Sequence, residues 1–291
     1  MSTSTATTGN AGAGQAPGQG RLAGKVCIVT GGTRGFGAAI VSLFVSQGAK
    51  VLVLDLLASD GAYDPFAISP IPRSSPPHPV PQHSTYALKA DITQRADWAR
   101  ALSRCIEIYG SPPTVVVNNA GWTYSNKPTL EVTEDEFERV FTVNVKSVFL
   151  SVEVVLRELL ESSGGVRDAS WINVSSTAAL RPRPGLVWYN ASKGAVSTAT
   201  KALAVEYAPH KVRFNTVCPV AGNTPLLSKF AGSKEAGDAV STQQLAQFNA
   251  SIPIGRLSEA SDIANACLFL ADEASCFITG IDLPVDGGRC V

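Results

Sequence analysis

A tyrosine and a lysine one helical turn apart are the residues best suited to chemistry. Tyr189 and Lys193 stand in the segment Tyr-Asn-Ala-Ser-Lys, and this spacing puts the phenol and the ammonium on one face of a helix. A phenol has a pKa near ~10, which is too high for efficient proton transfer at neutral pH, and a nearby ammonium lowers that pKa by favouring the phenolate. The pair therefore predicts an acid/base that exchanges a proton with a substrate oxygen.

A serine at the end of an apolar run completes a candidate catalytic group. Ser176 closes the segment Trp-Ile-Asn-Val-Ser-Ser, thirteen residues before Tyr189. A hydroxyl at this position can hydrogen-bond the same substrate oxygen and hold it in line for hydride transfer. The Tyr-x-x-x-Lys spacing alone is typical of any helix with a surface lysine, so the assignment depends on the buried strand and on a phosphate-binding motif elsewhere in the chain.

A glycine-rich turn follows the first apolar run and begins a helix. The segment from Thr30 to Gly37 is Thr-Gly-Gly-Thr-Arg-Gly-Phe-Gly. Exposed N–H groups at a helix N-terminus favour a pyrophosphate, and glycine lets the backbone approach it closely. A tight turn without a ligand would have a similar sequence, so the turn by itself does not establish a pyrophosphate-binding site.

An acidic residue supports the nucleotide interpretation of this turn. Asp55 closes the second apolar run, 24 residues after Gly31. A carboxylate there binds the ribose hydroxyls of NAD and repels the 2′-phosphate of NADP. Arg34, within the turn, could instead meet that phosphate. NAD is therefore the favoured cofactor, and NADP stays the alternative.

These residues need a sheet that brings the ends of several strands together. Short apolar runs without alternation are separated by helical stretches, which is typical of parallel strands buried on both faces. The chain is therefore predicted to be a single-domain α/β protein with a doubly wound parallel sheet, the Rossmann fold, over residues 21–291. Thr133 and Glu136 predict a capping box at the start of a long helix. The predicted strands are 26–30, 50–55, 85–90, 114–118, 171–174, 212–217 and 281–285, and the predicted helices run from the glycine turn to about 48, then over 97–109, 134–161, 189–208 and 262–271.

Composition excludes several classes of protein. The chain has 24 Lys and Arg against 24 Asp and Glu, and without a basic run interleaved with aromatics no nucleic-acid partner is expected. No apolar run is long enough to cross a bilayer. Six isolated cysteines without a Cys/His cluster predict buried thiols rather than a metal site. A cytoplasmic protein is expected.

Two segments break the regular pattern. Residues 1–20 have the composition of a disordered tail and lack the features of a signal peptide. Residues 58–84 are rich in proline where a crossover helix would be expected, which predicts an irregular surface loop. Such a loop could cover a cofactor or bind a partner, but a tolerated insertion at a sheet edge is the commoner case.

The ordered motifs resemble the single-domain branch of the short-chain dehydrogenase/reductase family, from about Leu22 to Val285. The matching segments are the glycine turn, Ala-Asp-Ile at 90–92, Asn-Asn-Ala-Gly at 118–121, Asn144, Ser176, the Tyr-x-x-x-Lys pair and Pro-Val-Asp-Gly-Gly at 284–288. Because so many motifs occur in the family's order, the resemblance is highly specific.

The resemblance implies a role for each matching residue. Tyr189 would be the acid/base, and Ser176 would orient the substrate. Lys193 would bind the nicotinamide ribose, and Asn144 would hold a water in a proton relay. The residues implied to contact the cofactor are Gly31, Thr33, Arg34, Gly35, Phe36, Gly37, Asp55, Asp91, Ile92, Asn118, Ala120, Gly121, Tyr189, Lys193, Pro219 and Thr224.

Two departures from the family pattern affect the expected site. Val220 stands where the family usually has a glycine after Pro219, which leaves the backbone path to Thr224 open. The proline-rich segment replaces the third crossover helix, which leaves the adenine side of the site less predictable than the nicotinamide side.

The substrate pocket is expected to form from loops at the carboxyl ends of the strands. The candidates are Trp122, Tyr124 and residues 178–188, with a lid at about 222–252. A medium-sized, mainly apolar ketone or secondary alcohol is the expected substrate. Arg181 and Arg183 could bind an anionic substrate, although solvated loop arginines are commoner.

The predicted function is that of an NAD(P)-dependent short-chain alcohol dehydrogenase or ketoreductase. A second hypothesis is a nucleotide-binding scaffold of the same fold with a regulatory or non-redox role such as guiding a cyclisation. The presence of the tyrosine, the lysine and the serine together disfavours it. The resemblance also implies a homotetramer or homodimer, with the helices that begin near Glu134 and Tyr189 pairing between subunits.

Overall fold

A sheet of eight strands forms the centre of the protein, described by a computed structural model for residues 20–67, 84–162 and 168–291. The strands are β1 (Val26–Thr30), β2 (Lys50–Asp55), β3 (Gly61–Ala62), β4 (Thr85–Lys89), β5 (Val115–Asn118), β6 (Ala169–Val174), β7 (Val212–Pro219) and β8 (Asp282–Val285). They lie in the order β3-β4-β2-β1-β5-β6-β7-β8. Every neighbouring pair is parallel except β3 with β4. The predicted doubly wound parallel sheet is confirmed, with one short antiparallel strand at its edge.

Helices cover both faces of this sheet. They are α1 (Gly35–Ser46), α2 (Arg95–Tyr109), α3 (Glu134–Phe141), α4 (Ser147–Ser151), α5 (Arg157–Glu161), α6 (Thr177–Leu180), α7 (Val187–Tyr207), α8 (Leu227–Phe230), α9 (Thr242–Ala250) and α10 (Ala260–Ala271). Short 3-10 turns occur at Thr129–Glu131, Ala208–His210 and Glu273–Ser275. Among the described helices, none is both long enough and apolar enough to cross a membrane.

The long helix predicted over 134–161 is present but is not a uniform α-helix. Two π-helical turns, Thr142–Lys146 and Val152–Leu156, join α3, α4 and α5. The predicted capping box is confirmed, since the Glu136 N–H donates to Thr133 Oγ1 at 3.2 Å and the Thr133 N–H donates to Glu136 Oε2 at 3.0 Å. A π-turn widens the helix by one residue and is frequent at functional sites.

The sheet is buried on both faces, which explains its continuous apolar strands. Cys27 and Val29 of β1 pack into a core that also contains residues of α1 and α10. Val26 and Ile28 point to the opposite face, where Trp98 of α2 lies in a second core. Side chains alternate between the faces of a strand, so a strand covered on both sides shows no polar alternation.

The order of the strands places a crevice beside β1. From β1 the chain moves to β2 and β4 on one side, and then crosses to β5 on the other side. A reversal of this kind opens a crevice at the carboxyl ends of the strands, where ligands bind in open α/β sheets. The glycine turn, which follows β1, and Ser176, which follows β6, are both at this edge.

The proline-rich segment is described only in part. Its first residues form β3, which pairs antiparallel with β4, and Ser42 of α1 donates a hydrogen bond to the Pro65 carbonyl at 2.7 Å. The remainder at 68–83 and the predicted tail up to residue 19 lie outside the described residues.

Candidate active site

A cavity of about 390 Å³ lies at the carboxyl edge of the sheet, within the range of small-molecule binding pockets. Most of the predicted site residues line it, but Thr33, Gly37, Asn118 and Asn144 do not. The predicted residues on its wall are Gly31, Arg34, Gly35, Phe36, Asp55, Asp91, Ile92, Ala120, Gly121, Ser176, Tyr189, Lys193, Pro219 and Thr224.

The glycine turn leaves the start of α1 open to an anion. Gly31 and Gly35 have positive φ angles of 63° and 56°, a region that L side chains rarely adopt. At Gly37 an added Cβ would lie 2.0 Å from the Gly31 carbonyl oxygen, so this glycine is needed for packing behind the cavity wall. No side chain caps α1, and its first turn contains no acidic residue. The residues present therefore fit a pyrophosphate, which would bind the free N–H groups.

Asp55 is tied to the glycine turn. Its Oδ2 atom accepts hydrogen bonds from the Thr33 hydroxyl at 2.6 Å and the Thr33 N–H at 3.2 Å. Its Oδ1 atom accepts one from the Leu57 N–H at 2.9 Å. Thr33 does not line the cavity, and its hydrogen bonds hold the Asp55 carboxylate in place. An ionised carboxylate can accept about four hydrogen bonds, so Asp55 keeps capacity for a ribose hydroxyl.

The catalytic candidates come from two neighbouring elements. Ser176 begins α6, and its Oγ atom accepts a hydrogen bond from the Ala178 N–H at 3.1 Å. Tyr189 is the third residue of α7 and is buried. The Lys193 ammonium, one turn later, donates to the Val174 carbonyl at 2.8 Å and lies 5.9 Å from the centroid of the Tyr189 ring. The end of β6 and the start of α7 thus bring all three residues to one wall.

Burial dominates the electrostatics of this trio. It raises the pKa of Tyr189 above its ordinary value, while the Ser176 hydroxyl and the Arg183 charge lower it in part. Burial also lowers the pKa of Lys193 to about 8. That the Lys193 ammonium lowers the phenol pKa stays a prediction.

Asn144 lies behind the cavity wall. Its Nδ2 atom donates to the Trp122 carbonyl and to the Ser192 hydroxyl, both at 3.0 Å, and its Oδ1 atom accepts from the Trp122 N–H at 2.8 Å. The residue sits in the first π-turn and is buried. Its side chain is committed to fastening the segment after β5 to α7.

The Asn118 side chain does not line the cavity. Its Nδ2 atom donates to Ser151 Oγ at 2.9 Å and to Asn173 Oδ1 at 2.8 Å, inside the sheet. The neighbouring Asn119 lines the cavity, and its side chain holds the Thr30 carbonyl at 2.9 Å. Because successive side chains point in opposite directions at a strand end, only one of the two asparagines can face the cavity. The side chain on the cavity wall is that of Asn119, and the contact of Asn118 with a cofactor stays a prediction.

The backbone after β7 keeps its residues on the cavity wall although Val220 replaces the family glycine. Pro219 and Thr224 both line the cavity. The Thr224 side chain approaches Gly35, at 3.5 Å from the position of an added Cβ. The departure at Val220 therefore leaves both predicted residues on the cavity wall. Leu226, Phe230 and Phe248 bring the predicted lid segment to the same wall.

Several lining residues were not assigned to the site from the sequence. Leu56 and Leu57 follow Asp55 and are 60% and 65% exposed. Their adjacency to Asp55 was a signal that could have identified them. No such signal marked Arg289, which reaches the cavity from the C-terminal segment after β8.

Comparison with known proteins gives a consistent result. A family model described as Enoyl-(Acyl carrier protein) reductase matches residues 31–289. The chain is 40% identical to the 4-formylbenzenesulfonate dehydrogenase of Comamonas testosteroni over 91% of this chain and 97% of that protein. It is 35% identical to an NADP-dependent (R)-specific alcohol dehydrogenase of Lentilactobacillus kefiri over 92% and 97% of the two chains. A crystal structure of 3-ketoacyl-(acyl-carrier-protein) reductase from Brucella melitensis complexed with NADH has a TM-score of 0.77 and 35% identity, covering 93% of this chain and 100% of that chain.

Proposed function

The chain belongs to the short-chain dehydrogenase/reductase family, and from this premise we propose that it oxidises a secondary alcohol, or reduces the matching ketone, with Tyr189 as the acid/base. The observation that carries the proposal is the position of the Tyr189 phenol. It is buried on the wall of a cavity that also contains Ser176 and the open N-terminus of α1. A proton-transferring group and a dinucleotide cradle thus share one enclosed space.

Each residue of the trio has a task in the proposed reaction. The nicotinamide cofactor, when bound, accepts hydride from the carbinol carbon or donates it to the carbonyl carbon. In oxidation the Tyr189 phenolate takes the proton of the substrate hydroxyl, and in reduction the phenol returns it. The Ser176 hydroxyl holds the same oxygen in line. Lys193 contributes positive charge near the phenol when protonated, while Asn144 is proposed to support a water-mediated path for the proton.

NAD is the proposed cofactor. The Asp55 carboxylate lies on the cavity wall at the tip of β2, where its charge would repel a 2′-phosphate. The related Brucella reductase is complexed with NADH, whereas the Lentilactobacillus relative is NADP-dependent. Arg34 is exposed in the glycine turn and leaves NADP as the alternative.

A medium-sized substrate with an apolar framework fits the proposed reaction. The aromatic side chains of Trp122, Phe230 and Phe248 line the cavity near the trio. Aromatic and apolar walls bind such frameworks by burial of surface, and a few polar groups then fix their orientation. The related 4-formylbenzenesulfonate dehydrogenase is named for an aromatic substrate, which supports a flat ring as one such framework.

We also propose that the protein assembles as a homotetramer or homodimer. Phe149 of α4 is 56% exposed and Val205 of α7 is 80% exposed, on the two helices expected to pair between subunits. Light scattering that gives the 30.4 kDa monomer mass would contradict this.

The experiment for the proposed function is a turnover assay. Purified protein is mixed with NAD or NADP and a panel of secondary alcohols, and the reduced nicotinamide is followed by its absorbance. Turnover with NAD supports the proposal. Cofactor binding without turnover of any alcohol, or of any ketone in the reverse direction, would contradict it.

A further inference from the structure

Acidic side chains line only one part of the cavity. Among the described residues they are Asp55 and Asp91, at the ends of β2 and β4, where Arg34 of the glycine turn also lies. Arg181 and Arg183 follow α6, and Arg289 follows β8, so these three line the part of the cavity beyond β5. The end of the cavity that contains Tyr189 therefore has basic side chains and, among the described residues, no acidic one.

Arg183 is held in place by the helix that carries Tyr189. Asn190 of α7 donates a side-chain hydrogen bond to the Arg183 carbonyl at 2.8 Å. Two residues on, the Gly185 carbonyl accepts a hydrogen bond from the Lys127 N–H at 3.2 Å. The backbone of residues 183–185 is thus bound to α7 at one end and to Lys127 at the other. These bonds fix where Arg183 leaves the backbone relative to the Tyr189 phenol.

The Arg183 guanidinium is close to the reacting end of the site. Its central carbon lies 5.0 Å from the centroid of the Phe230 ring, and that ring lies 5.6 Å from the ring of Tyr189. One phenylalanine ring therefore contacts both the acid/base and the guanidinium. The Arg183 charge also reaches the phenol, since it lowers the pKa of Tyr189.

Arg183 has no acidic partner among the described residues. Its pKa is lowered by burial and by the nearby Arg289 charge, and only Tyr189 acts in the opposite direction. A partly buried charge without a counter-ion is costly, and the planar guanidinium offers a fork of donors that matches a carboxylate or a sulfonate. Of the two loop arginines considered from the sequence, Arg181 is exposed and Arg183 is half-buried.

We propose that the substrate carries an acidic group, a carboxylate or sulfonate, that binds to Arg183 and Arg289. A short apolar spacer lies against Phe230 and joins this group to the reacting carbon at Tyr189. The inference rests on the proposed alcohol oxidation and deepens it by naming the charge of the substrate. The cofactor phosphates are a poorer match for these arginines, because the glycine turn that fits them is at β1, on the other side of β5.

The test compares matched acidic and neutral alcohols. The probes are 3- and 4-(1-hydroxyethyl)benzoate and the neutral 1-(4-methylphenyl)ethanol, each with saturating NAD. At least one benzoate isomer is expected to have a kcat/KM about tenfold or more above that of the neutral alcohol, because charge-assisted bidentate hydrogen bonds are strong. Equal values for all three probes would overturn the proposal.

Variants then assign the preference to the arginines. Arg183→Gln and Arg289→Gln should each lower about tenfold the ratio of kcat/KM for the preferred benzoate to kcat/KM for the neutral alcohol, with both substrates assayed at the same pH. Arg183→Lys should recover part of the benzoate preference. The control is Arg157→Gln on α5, where the arginine is 61% exposed and pairs with Glu153. This variant should leave kcat/KM for both the benzoate and the neutral alcohol unchanged.

A binding measurement separates this inference from the proposed reaction. The preferred benzoate is titrated calorimetrically into the protein saturated with NADH, for the unmodified protein and for Arg183→Gln. If the benzoate binds in a way that depends on Arg183 but no alcohol is turned over, the proposed binding of an acidic group is supported and the proposed reaction is rejected. If both types of alcohol are turned over and the benzoate binds equally well to the unmodified protein and to Arg183→Gln, only the proposed binding of the acidic group is rejected. A loss of NADH affinity in Arg183→Gln would assign the arginine to the cofactor and also overturn the proposal.

Discussion

The Thr33 hydroxyl donates a 2.6 Å hydrogen bond to the Asp55 carboxylate. This bond joins the glycine turn after β1 to the tip of β2, two segments that are 22 residues apart in the chain. It orients the carboxylate across the mouth of the cavity beside Leu57, whose N–H also donates to it. These hydrogen bonds hold the Asp55 carboxylate where the cofactor ribose is expected.

Replacement of Asp55 is expected to change the cofactor preference. Asp55→Ala removes the charge that repels a 2′-phosphate, and Arg34 remains in the turn to meet one. We expect the ratio of kcat/KM for NAD to that for NADP to fall about tenfold or more, since like-charge contacts cost several kcal/mol. Steady-state assays with both cofactors measure this. Thr33→Val, which keeps the carboxylate, is the control and should change the ratio less. If the ratio is unchanged in Asp55→Ala, Asp55 does not determine the choice between NAD and NADP.

Gly37 and Gly194 provide a matched pair of glycine substitutions. Gly37→Ala would put a Cβ 2.0 Å from the Gly31 carbonyl oxygen, whereas a Cβ at Gly194 of α7 meets nothing within 4 Å. We expect Gly37→Ala to lower the free energy of unfolding by about 1–3 kcal/mol and to weaken NADH binding. Gly194→Ala should raise the free energy of unfolding by about 0.5–1 kcal/mol. Denaturant titration and calorimetry check both, and equal behaviour of the two variants would refute the packing argument.

The rate of alcohol oxidation is expected to rise with pH. Oxidation needs the Tyr189 phenolate, and burial together with Cys218 raises the phenol pKa, while Ser176 and Arg183 lower it. Loss of a positive charge destabilises the phenolate, so Arg183→Gln should move the midpoint of the pH–rate profile for the neutral alcohol to higher pH. Profiles of kcat/KM with saturating NAD test this. A midpoint that stays in place or moves to lower pH would show that the Arg183 charge does not reach the phenol.

Lys193, which is proposed to serve the reaction, is expected to lower the free energy of unfolding. Its pKa is about 8 in the folded protein against an ordinary value of 10.5. Between these values the unfolded chain binds more protons, so the free energy of unfolding rises with pH. Below pH 8 the full penalty applies, at about 1.4 kcal/mol per unit of pKa shift.

Lys193→Met should therefore be inactive but more stable than the unmodified protein near pH 7. The difference should shrink as the pH rises from 8 towards 10.5. Denaturant titrations across this range measure it, with Lys146→Met, which replaces an exposed lysine, as the control. A variant less stable than the unmodified protein near pH 7 would mean that the bond to the Val174 carbonyl outweighs the desolvation penalty.

Much of the site could be predicted because its motifs are local. The glycine turn, the strand ending at Ser176 and the Tyr189–Lys193 spacing each depend on a few consecutive residues. The parallel sheet then brings the strand ends to one edge whatever the details of packing. For this reason the parallel sheet agrees with the prediction, and Ser176, Tyr189 and Lys193 all lie on the wall of one cavity.

The remaining features depend on contacts that are remote in sequence. Asn118 and Asn119 are adjacent, and only the register of β5 with β6 decides which of them enters the sheet. Arg183 is half-buried because Asn190 and Phe230 pack against its segment, and neither contact leaves a pattern in the local sequence. The phenol pKa likewise depends on burial, which spacing alone does not reveal.

The variant Tyr189→Phe tests the proposed proton transfer by Tyr189. This variant keeps the ring that packs against Phe230 and removes only the hydroxyl. With NAD and the best alcohol of the panel, kcat/KM should fall by about 10²–10⁴-fold, while the calorimetric affinity for NADH stays within about threefold of the unmodified protein. A variant that retains kcat/KM within a few-fold would contradict the account.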